Sequence, residues 1–324
     1  MKILKSKSIY YDDVNLIAQP SNIISRSNIE RELHRIIVSP MQAVVGKTFA
    51  RTAYNLGISV ALHRFCKLEE LIETFKYVNE SNNSDKQNKI WCSIALNDYN
   101  AFEQLYDNGA KNFIIDIANG YLDSVDSMVK CLNYDYKGSE TSIMVGNIHT
   151  ERGFNLYHQF NNLFIRVGIG QGSGCTTKDQ TGYTRGQITE ISECYHDGYG
   201  SCLNKNLIVA DGGIKNGGDA AKAFGAGADY IMMGGYFAST NEAQNVIDGT
   251  YQFWGSASQK QMDLSGKKRD HAEGRIYDID QTKIRPLNAA IDELWSAISS
   301  AVSYSGYKSL SEFIGRGIYE IKER

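Results

Sequence analysis

Eight short apolar runs, each followed by a stretch with helical spacing, predict a (β/α)8 barrel, the TIM-barrel class, folded as a single domain over residues 1–324. Three observations carry that expectation. The runs are β-branched and apolar throughout rather than alternating, which suits a parallel sheet buried on both faces. Their number is eight, which favours closure over the competing layout, an open doubly wound sheet. Polar residues and glycines collect just past the carboxyl end of the later runs, where a barrel builds its site. At roughly 150 residues per domain the length alone would suggest two domains, but barrels of this length are commonly one.

In chain order the predicted strands are Ile36–Val38, Ile58–Leu62, Ile90–Leu96, Phe113–Ile117, Ser142–Val145, Leu163–Val167, Leu207–Ala210 and Tyr230–Met233. The predicted helices between them are Leu68–Tyr77, Asn100–Tyr106, Leu122–Leu132, Thr150–Phe160, Ile188–Cys194 and Asp219–Phe224. Ser81–Lys89 and Tyr136–Thr141 are polar and read as surface loops. After the last strand about 90 residues remain. Within them Ser256–Gly274 is polar and weakly periodic, and it is expected to be a mobile flap. Leu287–Tyr304 closes the fold as a helix, with Leu287, Ala290, Ile291, Leu294 and Ile298 on one face.

Composition narrows the function classes. Hydrophobic residues are 42% and charged residues 22%, so disordered and low-complexity readings of the whole chain fall away. The formal net charge is −3, which offers no basic excess for nucleic acid. No apolar run approaches the roughly 18 residues that span a bilayer, so no membrane partner is expected. The first residues, broken by Tyr10, Asp12 and Asp13, have no signal-peptide core. The six cysteines form no CxxC pair and are expected to be reduced thiols in a cytoplasmic protein.

The strand ends carry the candidate chemistry. The sixth leads into Gly168-Ile169-Gly170-Gln171-Gly172-Ser173-Gly174-Cys175-Thr176-Thr177. Its glycines allow the backbone to approach a ligand closely. A lone cysteine is more often a small buried hydrophobe, the reading that suits Cys92 and Cys131. Cys175, between glycines and hydroxyls at a barrel mouth, is instead the candidate nucleophile. Asp211-Gly212-Gly213 after the seventh strand and Gly234-Gly235 after the eighth form a candidate phosphate cradle, since backbone amides and a helix N-terminus suit an anion there. Asp211 is placed to accept from ribose hydroxyls. Flavin-binding barrels carry a similar turn, so this feature alone says only that the ligand is phosphorylated. His63, His149, His158 and His271 lack metal-ligand spacing and read as structural or solvated. Arg64, next to His63, should stand at the mouth and touch a cofactor, and Glu273 is either a solvated charge or a proton carrier.

With these residues in view the sequence resembles the IMP dehydrogenase / GMP reductase family, from Tyr11-Asp12-Asp13-Val14 to about Gly306. The cysteine loop is the most specific match, and flavin barrels lack it. Ser39-Pro40-Met41, Gly146-Asn147, Val209-Ala210-Asp211-Gly212-Gly213 and Met233-Gly234-Gly235 also match. The GMP reductase branch is favoured by Asp116-Ile117-Ala118-Asn119-Gly120-Tyr121. It is favoured too by the short span of about 20 residues from Gly255 to Glu273, which lacks an Arg-Tyr pair, and by the expectation of no inserted regulatory domain. The chain departs from the family pattern at Gln42, Gln171, Arg64, Asp270 and Ser299.

The resemblance implies reduction of GMP to IMP and ammonia by NADPH, through a covalent Cys175 adduct at purine C2, with Thr177 and Glu273 relaying the proton. It implies substrate contacts from Ser173, Asp211, Gly212, Gly213, Gly234, Gly235, Gly255, Ser256 and Ala257. Cofactor contacts are implied for Ser25, Arg26, Arg64, Asp116, Ile117, Ala118, Gly168 and Ser299. The carbonyls of Gly170, Gly172 and Cys175 are implied to hold a monovalent cation, K+, and the assembly is implied to be a homotetramer. The alternatives are an IMP dehydrogenase, oxidising IMP with NAD, and a catalytically silent nucleotide-binding homologue.

Overall fold

The computed structural model describes residues 7–81, 87–134, 141–160, 162–199, 206–247, 249–266, 272 and 274–323. Eight parallel strands close into a barrel: β1 (Ile36–Val38), β2 (Ser59–Leu62), β3 (Ile90–Ile94), β4 (Asn112–Ile115), β5 (Ser142–Ile148), β6 (Phe164–Val167), β7 (Leu207–Asp211) and β8 (Tyr230–Met233). Closure comes from β1 pairing with β8, with Ile36 opposite Ile231 and Val38 opposite Met233.

One side chain from each strand fills the barrel interior as a separate cluster: Ile37, Ala61, Trp91, Ile114, Met144, Phe164, Val209 and Met232. The neighbouring residues on each strand point outward and merge with the helices into the larger core, where Phe49, Phe75, Phe224 and Leu294 pack. This split is the physical reason the runs are apolar throughout, since both faces are buried. Trp91 is fully buried and meets Phe164 edge-on at 4.7 Å between ring centroids. Trp91→Ala is expected to cost about 3–5 kcal/mol in urea unfolding. A loss below about 1 kcal/mol would show that the interior collapses around the missing indole.

Three expectations are corrected. The predicted helix Thr150–Phe160 is helical only over Glu151–Asn155. Thr150 caps it, but Tyr157 and Phe160 then leave the axis to bury, the Tyr157 hydroxyl donating to the Gly120 carbonyl. Gly146-Asn147 does not end the fifth strand. It lies inside β5, where the ladder with β6 shifts register between Gly146 and Ile148. Ser256–Gly274 is not simply a loop. Thr250–Trp254 and Ile276–Asp278 pair antiparallel at its base, and Gln259–Leu264 is a helix capped by the Ser258 hydroxyl, which accepts from the Gln261 amide. The helix has weak periodicity because Gln261 and Met262 are its only buried residues.

The remaining helices agree with the predicted positions and run longer: Leu68–Asn79, Tyr99–Asp107, Asp123–Tyr134, Gln187–Tyr199 and Gly217–Ala226, while Leu287–Tyr304 matches end to end. Several further elements were not anticipated. The helix Lys47–Asn55 buries only Phe49, Ala50 and Ala53 and so leaves a faint pattern. The strand Val14–Leu16 pairs antiparallel with Tyr319–Ile321, tying the two ends of the chain together. No helix among the described residues is long and apolar enough to cross a membrane.

Candidate active site

A cavity of about 1140 Å³ opens over the carboxyl ends of the barrel strands. Pockets for one drug-sized ligand are ~300–1,000 Å³, so this one exceeds the space a single small ligand needs. The cysteine loop crosses its middle. Gly168 has φ +139, and a Cβ there would lie 2.1 Å from the Asp211 carbonyl oxygen, so only glycine fits. The loop then folds back on itself, with the Cys175 amide donating to the Gly172 carbonyl at 2.9 Å. The Cys175 thiol lies 3.2 Å from the Thr177 hydroxyl and is half-buried. The loop is held from both sides. Arg275 donates its amide to the Gly174 carbonyl at 2.9 Å, and Cys175 forms an isolated bridge with Gly274. On the other side the Gln171 amide group donates to the Thr184 hydroxyl at 2.9 Å and to the Arg185 carbonyl.

Beside the loop, four charged side chains form a ladder. Arg166 on β6 donates from Nη2 and Nε to Asp211 Oδ2 at 2.9 and 3.2 Å, and Asn147 Nδ2 donates to the same oxygen at 2.8 Å. Arg166 Nη1 reaches Asp116 Oδ1 at 3.4 Å, and Arg64 Nε reaches Asp116 Oδ2 at 3.0 Å. The Arg166 side chain is only 9% exposed. Burial alone would depress its pKa, but Asp211 and Asp116 outweigh it and hold the guanidinium above its ordinary value. Asp211 Oδ2 thus accepts from three donors, two on Arg166 and one on Asn147. His63, behind Arg64, is pushed down to about 4 by burial, against the opposing pull of Asp116, and its Nδ1 accepts from the Phe65 amide at 3.2 Å.

At the ends of β7 and β8 the cavity is lined by small residues and hydroxyls. Gly212 and Gly213 have φ +94 and +76, and the helix Gly217–Ala226 begins just beyond, capped by Asn216. A Cβ on Gly235 would lie 2.9 Å from the Ser173 hydroxyl, which accepts from the Tyr277 hydroxyl at 3.1 Å. Gly255, Ser256 and Ala257 line the cavity beside Gln261. Gln261 donates to Gln42 Oε1 at 2.7 Å and accepts from the Trp254 indole at 3.2 Å, which ties the Gln259–Leu264 helix to the barrel.

A model of the IMP dehydrogenase / GMP reductase domain matches residues 8–320. The chain belongs to the IMP dehydrogenase / GMP reductase family. It is 27% identical over 346 residues to a GMP reductase of Caenorhabditis elegans, covering 98% of this chain and 93% of that protein. It is 29% identical over 325 residues to a GMP reductase of Ligilactobacillus salivarius, covering 93% of this chain and 92% of that protein. It is 28% identical over 331 residues to GMP reductase 2 of Mus musculus, covering 94% and 92%.

In this family member the cavity brings together Arg64, Asp116, Ile117, Ala118, Gly168, Ser173, Cys175, Thr177, Asp211, Gly212, Gly213, Gly234, Gly235, Gly255, Ser256 and Ala257. Gly170 and Gly172 line it as well. Their carbonyls and that of Cys175 are hard, neutral oxygen donors, a set that suits a monovalent cation. Ser25, Arg26 and Ser299 are not among the cavity's lining residues. Ser25 caps the short helical turn Arg26–Asn28, and Arg26 donates to the Ser300 hydroxyl at 3.2 Å on the Leu287–Tyr304 helix. Ser299 is 2% exposed, and its hydroxyl donates to the Ser296 carbonyl at 3.2 Å. Glu273, His271 and Asp270 lie outside the described residues. Among the described residues no group of three or more His, Cys, Asp or Glu is arranged to hold a metal ion. Sequence reasoning missed Arg166 and Tyr277. For Arg166 a signal existed: a charge inside the apolar run Phe164–Val167 must find partners when buried. Tyr277 gave none, being one polar aromatic in an exposed strand.

Proposed function

We propose that this family member is a GMP reductase, converting GMP, NADPH and a proton into IMP, ammonia and NADP through a covalent bond between Cys175 and purine C2. The observation that supports it best is the 3.2 Å contact between the Cys175 thiol and the Thr177 hydroxyl, in a cavity that also reaches the Gly213–Gly235 cradle. The cradle would hold the 5′-phosphate, and Asp211 Oδ1 the ribose diol. With both ends fixed, C2 of the base is delivered to Cys175.

Guanine C2 is poorly electrophilic, so the reaction needs a nucleophile. The thiolate of Cys175 bonds to C2 and forms a tetrahedral adduct. The C2–N bond then breaks as the amine takes a proton through Thr177 and Glu273, leaving a thioimidate. When bound, the nicotinamide supplies a hydride to C2, and the S–C2 bond breaks with the electron pair returning to sulfur. Arg64 and Asp116 face the part of the cavity where that ring would lie. The carbonyls of Gly170, Gly172 and Cys175 would hold K+ and so fix the loop around the nucleophile. We place the protein in a reducing cytoplasm as a homotetramer; the cysteines at 66, 92, 175 and 194 carry free thiols.

The deciding assay offers GMP with NADPH, and separately IMP with NAD, and measures cofactor absorbance together with ammonia. Ammonia released in step with NADPH oxidation supports the reductase. NADH formation from IMP with production of XMP would assign the dehydrogenase direction, and inactivity with tight nucleotide binding would assign the silent homologue. Glu273→Gln is expected to lower the GMP reaction at least about a hundredfold, since an amide relays no proton and positioned proton transfer contributes ~10²–10⁴-fold. The same variant should still form NADPH from IMP and NADP in a single turnover. Equal losses in both directions would remove Glu273 from the deamination step.

A further inference from the structure

The cavity does not end at the phosphate cradle. Past Gly213 and Gly235 it continues between two segments of the rim, bounded by Lys215, Thr282, Lys283, Arg285 and Glu293. Among the described residues the cradle offers neutral donors: the Ser173 and Tyr277 hydroxyls and the amides of the glycine turns. Beyond it the described lining adds three cations, Lys215, Lys283 and Arg285, beside the Glu293 carboxylate. Arg285 is held in place, its guanidinium 5.0 Å over the Tyr236 ring and its Nε 3.5 Å from Glu293. Its backbone is pinned as well, the Arg285 amide donating to the Ser239 carbonyl at 3.3 Å.

The two lysines are differently held. The Lys215 amide donates to Asp219 Oδ2 at 3.0 Å, which fixes the root of the side chain, while its ammonium pairs with Asp12 at 3.3 Å with both side chains well exposed. The Lys283 ammonium lies 3.7 Å from Asp280, again with both side chains exposed. Exposed pairs of this kind are weak and exchange readily for a better anion. Two exposed ammonium groups and one anchored guanidinium therefore line the cavity beside the cradle.

We propose that this annex takes a second phosphoryl group carried on the 5′ side of the nucleotide, so that the site binds a purine nucleoside 5′-diphosphate as well as a monophosphate. The proposal rests on the nucleotide reading of the cavity given above. Its chemistry is charge matching. The α-phosphate stays on the neutral cradle, and the added anionic charge of a β-phosphate meets Lys215, Lys283 and Arg285.

Titration calorimetry on the full-length protein tests it with three probes: GMP, GDP, and GMP in the presence of inorganic phosphate. GDP is expected to bind at least as tightly as GMP, and more salt-sensitively. Lys215→Ala combined with Lys283→Ala should weaken GDP at least tenfold and GMP less than threefold, with the circular dichroism spectrum unchanged. GDP binding tenfold or more weaker than GMP to the unaltered protein would overturn the proposal. So would equal losses for the two nucleotides in the variant, because the lysines would then serve the monophosphate. If inorganic phosphate tightens GMP as much as the β-phosphate does, the annex holds a separate anion and the diphosphate reading fails. No measurable GMP binding would instead defeat the nucleotide reading itself, and the annex with it, whereas the other failures leave GMP binding intact.

Discussion

Cys175→Ala is expected to lower GMP turnover at least about a thousandfold, equivalent to ~4 kcal/mol of barrier, while GMP affinity stays within about threefold. The separation follows from where the contacts lie. The thiol lies against Thr177, whereas the proposed phosphate and ribose contacts fall mainly to Gly213, Gly235 and Asp211 on other elements, with Ser173 alone coming from the cysteine loop. Truncation should leave stability nearly unchanged, because Cys175 is half-buried and its loop is held by Gln171 and by the Arg275 amide. Single-turnover kinetics with GMP and NADPH read the first quantity and calorimetry the second. A variant that keeps more than about a tenth of the rate, only ~1.4 kcal/mol of barrier, would end the covalent mechanism.

Asp211→Ala is expected to act on binding and on stability together. The carboxylate would lose its bonds to the ribose, and each charge-assisted hydrogen bond contributes ~1.5–3 kcal/mol, so GMP affinity should fall at least about tenfold. The same change strips Arg166 of its closest partner and leaves a guanidinium that is 9% exposed with Asp116 at 3.4 Å. Breaking a buried pair from one side costs ~3–5 kcal/mol, so urea unfolding should show a loss of that order. Asp211→Asn keeps the shape and isolates the charge. Unchanged GMP affinity would mean that the ribose is held elsewhere. Lost affinity at full stability would mean that Asp116 alone suffices for Arg166.

The ladder from Arg64 to Asp211 links two acids across the cavity floor. Arg166 touches an acid on the proposed nucleotide side and an acid on the proposed cofactor side. Both acids were candidates in the sequence, each near the end of a predicted strand, and both line the cavity. Their bridging partner was not, because it sits inside a strand where the apolar pattern directs attention to packing. The departures at Gln42 and Gln171 are explained in the same way. Gln42 receives a hydrogen bond from the flap helix and Gln171 fastens the cysteine loop to Thr184, so both brace neighbouring segments of chain.

What the sequence determined by itself is what short-range physics encodes. Apolar runs set the eight strands and their burial on both faces, and the glycine turns at 168, 212 and 213 mark backbone with positive φ. The cysteine loop was legible as a candidate site because all its parts lie within ten residues. Tertiary structure decided what depends on distant partners. Arg166 meets Asp211 and Asp116 across 45 and 50 residues, and Asn147 meets Asp211 across 64, contacts that exist only once the barrel closes. Tyr157 draws its segment off the helix axis to reach Gly120, 37 residues away, and the flap helix is recruited by Gln42 across 219. Periodicity reports on neighbours along the chain. A buried charge or an orphaned amide finds its partner wherever closure places one, because leaving it unpaired costs more than bending the local pattern.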